Sequence, residues 1–221
     1  MVDDAAVVFV DDGTGGDLTV TGTTLGGAMH VLTGHRLSLD APLTNNAALT
    51  IRGRIDTTDA AFFDRMMAVN ARAPMLLIRA LLPELKKNTG VVLNIGSVLA
   101  HCGQANMLAY SMSKGALMTM TRNLADSLGM DRVRVNQLNV GWTLSDNEYQ
   151  VKISDGLGEG WPERLAPNLI PMGRLLMPDD IATAAVYWVG RESYPVTGTV
   201  AELEQYPIIG RYANAEGDEK K

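Results

Sequence analysis

The chain has 221 residues, of which 46% are hydrophobic, and its 19 Lys+Arg against 25 Asp+Glu give a formal net charge of −6. Such a chain buries a core without covalent staples, and one cysteine cannot form an internal disulfide, so we expect a single domain in the reducing cytoplasm. The acidic balance excludes a general nucleic-acid binder, because no basic excess is present to neutralise phosphates. Acidic first residues and the lack of ~18 consecutive apolar residues predict neither an export signal nor a membrane span.

The first 44 residues have the pattern of short β-strands joined by glycine-rich turns. The predicted strands cover residues 6–10, 17–21, 30–33 and 36–39. Residues 12–16 and the Gly34-His35 pair lie between consecutive strands, and turns of this composition favour hairpins. This atypical segment, 1–44, is therefore expected to differ from the rest of the chain.

From residue 45 onward, helices and strands alternate. The predicted helices cover 59–87, 109–129 and 178–189, and the predicted strands cover 91–95 and 134–140. Pro74 is expected to bend or interrupt the first helix, and strand 91–95 is apolar enough to be buried on two faces. The alternation predicts a doubly wound, Rossmann-like α/β fold with a mostly parallel sheet, a core over 45–212 and a polar tail over 213–221.

Three polar residues are placed to converge at one end of this sheet. Tyr110 and Lys114 are four residues apart at the start of a predicted helix, so their side chains share a face. An adjacent ammonium is expected to lower the pKa of the phenol, which is about 10 when unperturbed. Ser97 ends a strand where doubly wound sheets bind ligands. The set indicates proton transfer to a substrate oxygen, although the Tyr–Lys spacing alone also fits an exposed helical pair.

Several motifs occur in the order typical of one enzyme family. The matching segments are Asn45-Asn46-Ala47-Ala48, Ala68-Val69-Asn70-Ala71, Asn94-Ile95-Gly96-Ser97, Tyr110-Ser111-Met112-Ser113-Lys114, Arg134 to Trp142, Met172-Gly173-Arg174, Pro178 to Ala182 and Val196-Thr197-Gly198. From residue 42 to about 200 the sequence resembles the classical short-chain dehydrogenase/reductase family. It departs from the family pattern at Ala48 and Val140, where Gly and Pro are usual.

The resemblance implies an oxidoreductase that acts on a small alcohol or carbonyl compound with NAD or NADP. It implies that Tyr110 is the acid or base, that Ser97 orients the substrate oxygen and that Lys114 both lowers the tyrosine pKa and holds the nicotinamide ribose. Asn70 would anchor a water in a proton relay. The cofactor would be lined by Asn45, Ala47, Lys114, Gly141 and Thr143, with Gly22 at the phosphate turn.

The segment before residue 45 does not fit the family pattern. A family member needs two overlapping βαβ units, of ~30 or more residues each, before its Asn-Asn-Ala-Gly strand. Only 22 residues separate Gly22 from Asn45. In one interpretation a compressed half keeps a phosphate turn at Gly22, Gly26 and Gly27, with Asp40 on the ribose. In the other, hairpins replace it, these glycines only form turns, and dinucleotide binding is weakened or lost.

Two further features of the sequence are the segment 144–169 and the histidines with Cys102. Residues 144–169 are polar, with three glycines and Trp161, and fit either a mobile lid over a substrate pocket or an ordinary surface loop. The histidines have no metal-ligand spacing with each other or with Cys102, so no metal site is predicted. Cys102 itself is expected to be a buried, inert thiol.

Three functions remain open. The first is the nicotinamide-dependent oxidoreductase, and the second is a cofactor-independent isomerase, dehydratase or lyase on the same fold. The third is a non-catalytic homologue, which leaves the complete set of catalytic residues unexplained. The helices at 59–87 and 109–129 resemble those that pair subunits in the family, which implies a homodimer or homotetramer with a small-molecule substrate.

Overall fold

The computed structural model describes residues 7–9, 19–22, 28–30, 43–45 and 48–208; the first four ranges are strands described by their backbone alone. Within these residues seven strands form one sheet in the order β3-β2-β1-β4-β5-β6-β7. The strands are β1 (Val7–Phe9), β2 (Thr19–Gly22), β3 (Ala28–His30), β4 (Leu43–Asn45), β5 (Val91–Ser97), β6 (Arg134–Val140) and β7 (Val200–Leu203).

The helices follow the predicted pattern closely. They are α1 (Ala60–Met67), α2 (Ala73–Lys87), α3 (Leu108–Leu128), α4 (Asp146–Lys152) and α5 (Pro178–Val189). A π-helical turn, Ala68–Arg72, separates α1 from α2, so the predicted helix 59–87 is interrupted as expected. Pro74 lies in the first turn of α2, directly after the π-helical turn. No helix among the described residues is long and apolar enough to cross a membrane.

The central part of the sheet is parallel and covered on both faces. β1 pairs with β4, β4 with β5, β5 with β6 and β6 with β7, all in parallel. One face packs against α2 and α3 through Leu77, Ile78, Leu81, Leu85, Val92, Ala125, Leu128, Val133 and Val135. The other face packs against α5 through Leu93, Ile95, Leu138, Ile181, Ala184, Ala185, Trp188 and Val189. This is the predicted doubly wound, Rossmann-like architecture.

The first three strands form antiparallel pairs. Val7 of β1 is opposite Gly22 of β2, and Thr19 of β2 is opposite His30 of β3. Only nine residues lie between Phe9 and Thr19, which is too few for the crossover that parallel strands need. These strands therefore match the hairpin interpretation. The third strand begins two residues earlier than predicted, and Gly26, Gly27, Asp40, the predicted strand 36–39 and the tail 213–221 lie outside the described residues.

Candidate active site

The carboxyl ends of the central parallel strands form the edge at which the polar residues meet. Ser97 ends β5 and is in register with Val140 at the end of β6. Asn45, at the end of β4, pairs with Asn94, three residues before Ser97. Helix α3 starts eleven residues after Ser97 and packs across β5 and β6, which brings Tyr110 and Lys114 to the same edge.

The Ser97 hydroxyl faces the Tyr110 phenol, and its hydrogen-bonding interaction with the phenol favours the ionised form. Both residues are buried, with 6% and 9% of their surface exposed. The Ser97 hydroxyl also accepts a hydrogen bond from the Leu99 amide at 3.2 Å, and this contact begins a 3₁₀ turn over Val98–Ala100. The hydroxyl is thus held between the backbone and the phenol, in position to contact an oxygen bound beside Tyr110.

The pKa of Tyr110 is raised above its ordinary value. Burial is the main cause, since it disfavours the phenolate; the hydrogen bond from Ser97 acts in the opposite direction, and the Glu148 carboxylate raises the pKa further. The phenol therefore keeps its proton at neutral pH. The expectation that Lys114 lowers this pKa does not hold in the structure, because burial outweighs every stabilising interaction and the lysine is itself desolvated.

Lys114 lies beneath the tyrosine ring, with its ammonium nitrogen 5.8 Å from the ring centroid. Its Nζ donates a hydrogen bond to the carbonyl of Ile95 at 3.0 Å, and only 3% of the residue is exposed. Burial lowers the pKa of Lys114 to about 8. The lysine thus changes charge close to neutral pH, and an ammonium with three donors still has hydrogens for a ligand after Ile95 has taken one.

Asn70 acts on Tyr110 through the protein rather than directly. Its Oδ1 accepts from the Leu49 amide at 2.7 Å, and its Nδ2 donates to the Leu49 carbonyl and to Ser113 Oγ, both at 2.9 Å. Ser113 in turn donates to the carbonyl of Tyr110 at 2.7 Å. The amide of Asn70 therefore ties the chain after β4 to α3. Its two N–H groups already have protein partners, so a relay water would have to use another group.

The turn after β6 carries Gly141 and Thr143 and is closed by a carboxylate that the sequence analysis missed. Glu204 follows β7 and accepts a hydrogen bond from the Trp142 amide at 3.0 Å. A Cβ at Gly141 would overlap this carboxylate, which explains why glycine stands there. The Thr143 hydroxyl donates to the Gly141 carbonyl at 3.2 Å. Nothing in the local sequence around Glu204 indicates this contact, since 62 residues separate it from Trp142.

Residues 144–169 pack over this turn. Trp161 is 1% exposed and stacks on Trp142, with ring centroids 5.5 Å apart. Tyr149 also stacks on Trp161, with ring centroids 6.2 Å apart. The indole N–H of Trp142 donates to Glu148 at 2.8 Å, which fixes this carboxylate on the first turn of α4. The segment, which we call the lid, is thus fastened to the turn after β6 by stacked aromatic rings. Glu148 is a second residue that the sequence analysis missed.

An ion pair and an exposed thiol lie outside the set of contacts described so far. Arg52, on the chain after β4, pairs with Asp155 in the lid. Cys102 is exposed, so the expectation of a buried thiol is wrong: the loop after Ser97 turns its side chain outward. The Cys102 thiol contacts the Val98 carbonyl at 3.9 Å.

The structure does not bring every candidate residue to this edge. Gly22 is opposite Val7, which is in register with Leu43, and Leu43 is in register with Val92 at the start of β5. Gly22 therefore lies at the amino end of the sheet, about 16 Å along the strand direction from the level of Ser97. That position is unsuited to a phosphate turn serving Tyr110. Ala47 lies outside the described residues.

Comparisons with known proteins agree with this architecture. Residues 30–204 match the family described as enoyl-(acyl carrier protein) reductase. The chain is 35% identical over 164 residues to 2-(S)-hydroxypropyl-CoM dehydrogenase 3 of Xanthobacter autotrophicus, covering 73% of this chain and 64% of that protein. It is 34% identical, over 73% of this chain and 70% of that protein, to the inactive 2-(S)-hydroxypropyl-CoM dehydrogenase 2 of the same organism. The chain thus spans about two thirds of the length of these relatives.

A solved structure extends the likeness to the fold. The crystal structure of 3-ketoacyl-(acyl-carrier-protein) reductase from Brucella melitensis complexed with NADH superposes with a TM-score of 0.63 at 27% identity, over 75% of this chain and 66% of that chain. The likeness covers three quarters of the chain rather than a single motif. On the match over residues 30–204, this chain belongs to the short-chain dehydrogenase/reductase family.

Proposed function

We propose that this chain is an oxidoreductase that interconverts a small alcohol and the corresponding carbonyl compound with NAD or NADP. The observation that carries the proposal is the burial of Ser97, Tyr110 and Lys114 together at the carboxyl edge of the sheet, with the Lys114 ammonium 5.8 Å from the tyrosine ring centroid. Sequence relatives named as dehydrogenases support the same reaction class.

The described residues fit one end of such a cofactor. Lys114 would hold the nicotinamide ribose with the donors that Ile95 leaves, Asn45 and Gly141 would line the cofactor, and Thr143 would meet its carboxamide. When bound, the cofactor supplies or accepts the hydride. The phosphate end has no matching turn in the described strands, because β1 and β2 form a hairpin and not a strand–turn–helix unit.

The proton side of the reaction follows from the protein's own groups. In carbonyl reduction, Tyr110 donates its phenolic proton to the substrate oxygen while the Ser97 hydroxyl donates a hydrogen bond to the same oxygen. The raised pKa of Tyr110 keeps the phenol protonated and so favours this direction at neutral pH. In alcohol oxidation Tyr110 must first lose its proton, so we expect that rate to rise with pH on the alkaline side.

The first test separates the role of Tyr110 from its packing. Tyr110→Phe removes the proton donor and keeps the buried ring, so turnover should fall by about 10²-fold or more with little change in stability. Tyr187→Phe on α5, where the tyrosine is 49% exposed, is the matched control and should retain activity. Unchanged turnover in Tyr110→Phe would remove the tyrosine from the mechanism.

The second test asks whether a dinucleotide binds at all. Calorimetric titration with NADH and NADPH needs no knowledge of the substrate, and saturable binding that is lost in Lys114→Ala would support the proposal. Absence of binding at millimolar cofactor would contradict it.

A cofactor-independent enzyme on the same fold is the second candidate. The antiparallel β1–β2 and β2–β3 pairs favour it, because they occupy the part of the sheet that in the first interpretation carries the phosphate turn. In that case Tyr110 and Ser97 would transfer a proton in an isomerisation, dehydration or elimination. Proton-transfer activity without added cofactor, lost in Tyr110→Phe, would establish this candidate. A folded chain inactive in both assays would match the non-catalytic alternative.

A further inference from the structure

A line of buried polar side chains runs between α3 and the sheet and takes no part in the proposed chemistry. The Thr121 hydroxyl lies 2.9 Å from the side-chain amide of Gln137, and that amide lies 2.7 Å from the amide of Asn139. The Asn139 amide lies 3.2 Å from Nε2 of His101. Thr121, Gln137 and Asn139 are all 0% exposed. Each group in this line is satisfied by the next, as buried polar groups require.

The line passes directly beside the residue that precedes Ser97. A Cβ at Gly96 would overlap the side-chain amides of both Asn139 and Gln137. Glycine at this position therefore gives the two amides room against the backbone of β5. The peptide that leads into Ser97 is packed on the middle of the polar line.

The outer end of the line holds the other end of the same turn. The His101 amide donates to the Val98 carbonyl at 3.2 Å, which closes the 3₁₀ turn that begins at Ser97. The His101 ring lies against Asn139 on one side and, 3.0 Å away, against the Glu202 carboxylate of β7 on the other. Residues 96–101 therefore contact the same polar line at both ends: Gly96 packs against the amides of Gln137 and Asn139, and the His101 ring lies within hydrogen-bond distance of Asn139.

The Glu202 contact decides the direction of hydrogen bonding along the line. A carboxylate 3.0 Å from Nε2 is repelled by a ring lone pair and attracted by an N–H, so Nε2 carries a proton. Asn139 must then turn its carbonyl oxygen toward His101, because two donors cannot face each other. The structure has the opposite order, with Thr121 Oγ1 donating to Gln137 Oε1 and Gln137 Nε2 donating to Asn139 Oδ1. Because the two ends of an amide are interchangeable in shape, a protonated Nε2 of His101 turns both amides over, and the N–H₂ of Gln137 then donates to Thr121. Thr121 is left to donate to the Leu117 carbonyl at 3.0 Å.

We propose that His101 is a positioning residue for Ser97. Held by Glu202, the imidazole fixes the turn 96–101 through Asn139, Gln137 and Thr121, and so keeps the Ser97 hydroxyl directed at Tyr110. The inference rests on the roles that the proposed function gives to Ser97 and Tyr110, but its test uses neither substrate nor cofactor. Failure of the proposed function therefore leaves the test readable.

The first measurement is the protonation of the His101 ring in the full chain at pH 7. Long-range ¹H–¹⁵N correlation distinguishes the two ring nitrogens, with His101→Gln used to assign the signals. We expect Nε2 to carry a proton that exchanges slowly with solvent. A ring with an unprotonated Nε2 would overturn the proposal, and this measurement needs no variant that could fail to fold.

The second measurement follows the Ser97–Tyr110 hydrogen bond through the ¹³Cζ resonance of Tyr110, assigned with Tyr110→Phe. Ser97→Ala removes the bond and sets the full displacement of this resonance. We expect His101→Phe to shift the resonance most of the way to that value. His101→Gln, which keeps an N–H for Glu202, should restore the wild-type position. Glu192→Gln, a matched exposed carboxylate, should leave the resonance unmoved.

A merely structural role for His101 makes a different prediction. His101→Phe would then lower stability without displacing the Tyr110 resonance, and His101→Gln would not be distinguished from it. A folded His101→Phe protein with the wild-type Tyr110 resonance would overturn the proposal. So would a His101→Gln protein displaced as far as His101→Phe.

Discussion

Tyr110 and Lys114 share a dry environment that opposes charge on both side chains. Burial raises the pKa of the phenol and lowers the pKa of the amine to about 8. The neutral forms of both groups are therefore favoured, which is the opposite of the lysine-stabilised phenolate that the spacing alone suggested. The cost of this arrangement is stability, because at neutral pH Lys114 must hold its proton in the protein interior.

Lys114→Met is expected to stabilise the protein while abolishing activity. The pKa of Lys114 is about 8 in the folded protein against an ordinary value of 10.5, so between these values the unfolded chain binds more protons and stability rises with pH. Below pH 8 the full penalty applies, about 3 kcal/mol at most. Thermal melting should show a higher Tm for the variant than for the wild type at pH 7, and a smaller difference at pH 10.

The control for this experiment is Lys86→Met. Lys86 pairs with Asp131 at 2.8 Å and its side chain is 43% exposed, so its removal should change the Tm little at either pH. A Lys114→Met variant that melts below the wild type at pH 7 would show that the ammonium is better stabilised than its burial indicates.

Gly96→Ala is expected to destabilise the protein by about 1–3 kcal/mol, because the added methyl overlaps two buried amides. Urea denaturation should show a lower midpoint with an unchanged slope. In an Asn139→Ala background the Gly96→Ala substitution should cost less than in the wild type, because the added methyl then has more room. Gly103→Ala is the matched control, since nothing lies within 4 Å of a Cβ at that position. Equal stability of the two single variants would contradict the packing argument.

At the scale of elements, the π-helical turn between α1 and α2 positions the buried Asn70 side chain beside the site. Met66 and Asn70 are buried, and the extra residue of the turn directs the Asn70 amide toward Leu49 and Ser113. Such turns are frequent at functional positions of helices. The sequence predicted an interruption near Pro74 but gave no sign of its type, because π and α turns differ by a single hydrogen-bond register.

The lid is held mainly by aromatic stacking, so its fastening can be removed by one substitution. Trp161→Ala takes away a ring that is 1% exposed and stacks on Trp142. We expect faster cleavage of residues 144–169 in limited proteolysis and a loss of about 3–5 kcal/mol from packing. Leu169→Ala, at a lid position 40% exposed, should leave cleavage unchanged. Equal cleavage rates for both variants would show that other contacts hold the lid.

At the scale of the whole molecule, α2 and α3 present apolar side chains to solvent in the single chain. Met75 and Leu76 on α2 are 40% and 45% exposed, and Met112 on α3 is 50% exposed. Apolar groups gathered on such helices are typical of a surface between subunits. We propose that these two helices pair copies of the chain into a homodimer or homotetramer.

This assembly is tested by sedimentation equilibrium. The wild type should sediment as a dimer or tetramer, and the double variant Met75→Lys, Leu76→Lys should sediment as a smaller species, because buried unpaired charges oppose association. Met130→Lys is the control, since Met130 is 96% exposed and lies on the turn after α3. A monomeric wild type at micromolar concentration would exclude the pairing.

The sequence by itself determined most of the elements and predicted the principal candidate site residues. Helix α5 and strand β6 have the predicted bounds, and α3 differs by one residue at each end, because apolar periodicity and turn residues act over short distances. The predicted convergence of Ser97, Tyr110 and Lys114 also rests on local patterns. Residues four apart on a helix share a face, and a parallel strand ends at the edge of the sheet where ligands bind.

The tertiary structure decided the electrostatics and the supporting contacts. The sign of the Tyr110 pKa shift follows from the burial of the phenol, to which the Glu148 carboxylate adds, and neither can be inferred from the spacing of the motif. The contact of His101 with Glu202 joins residues about a hundred positions apart, and the placement of Gly22 depends on strand direction. Periodicity identifies an element and the face it buries, but its partner and its solvation are fixed only when distant segments pack together.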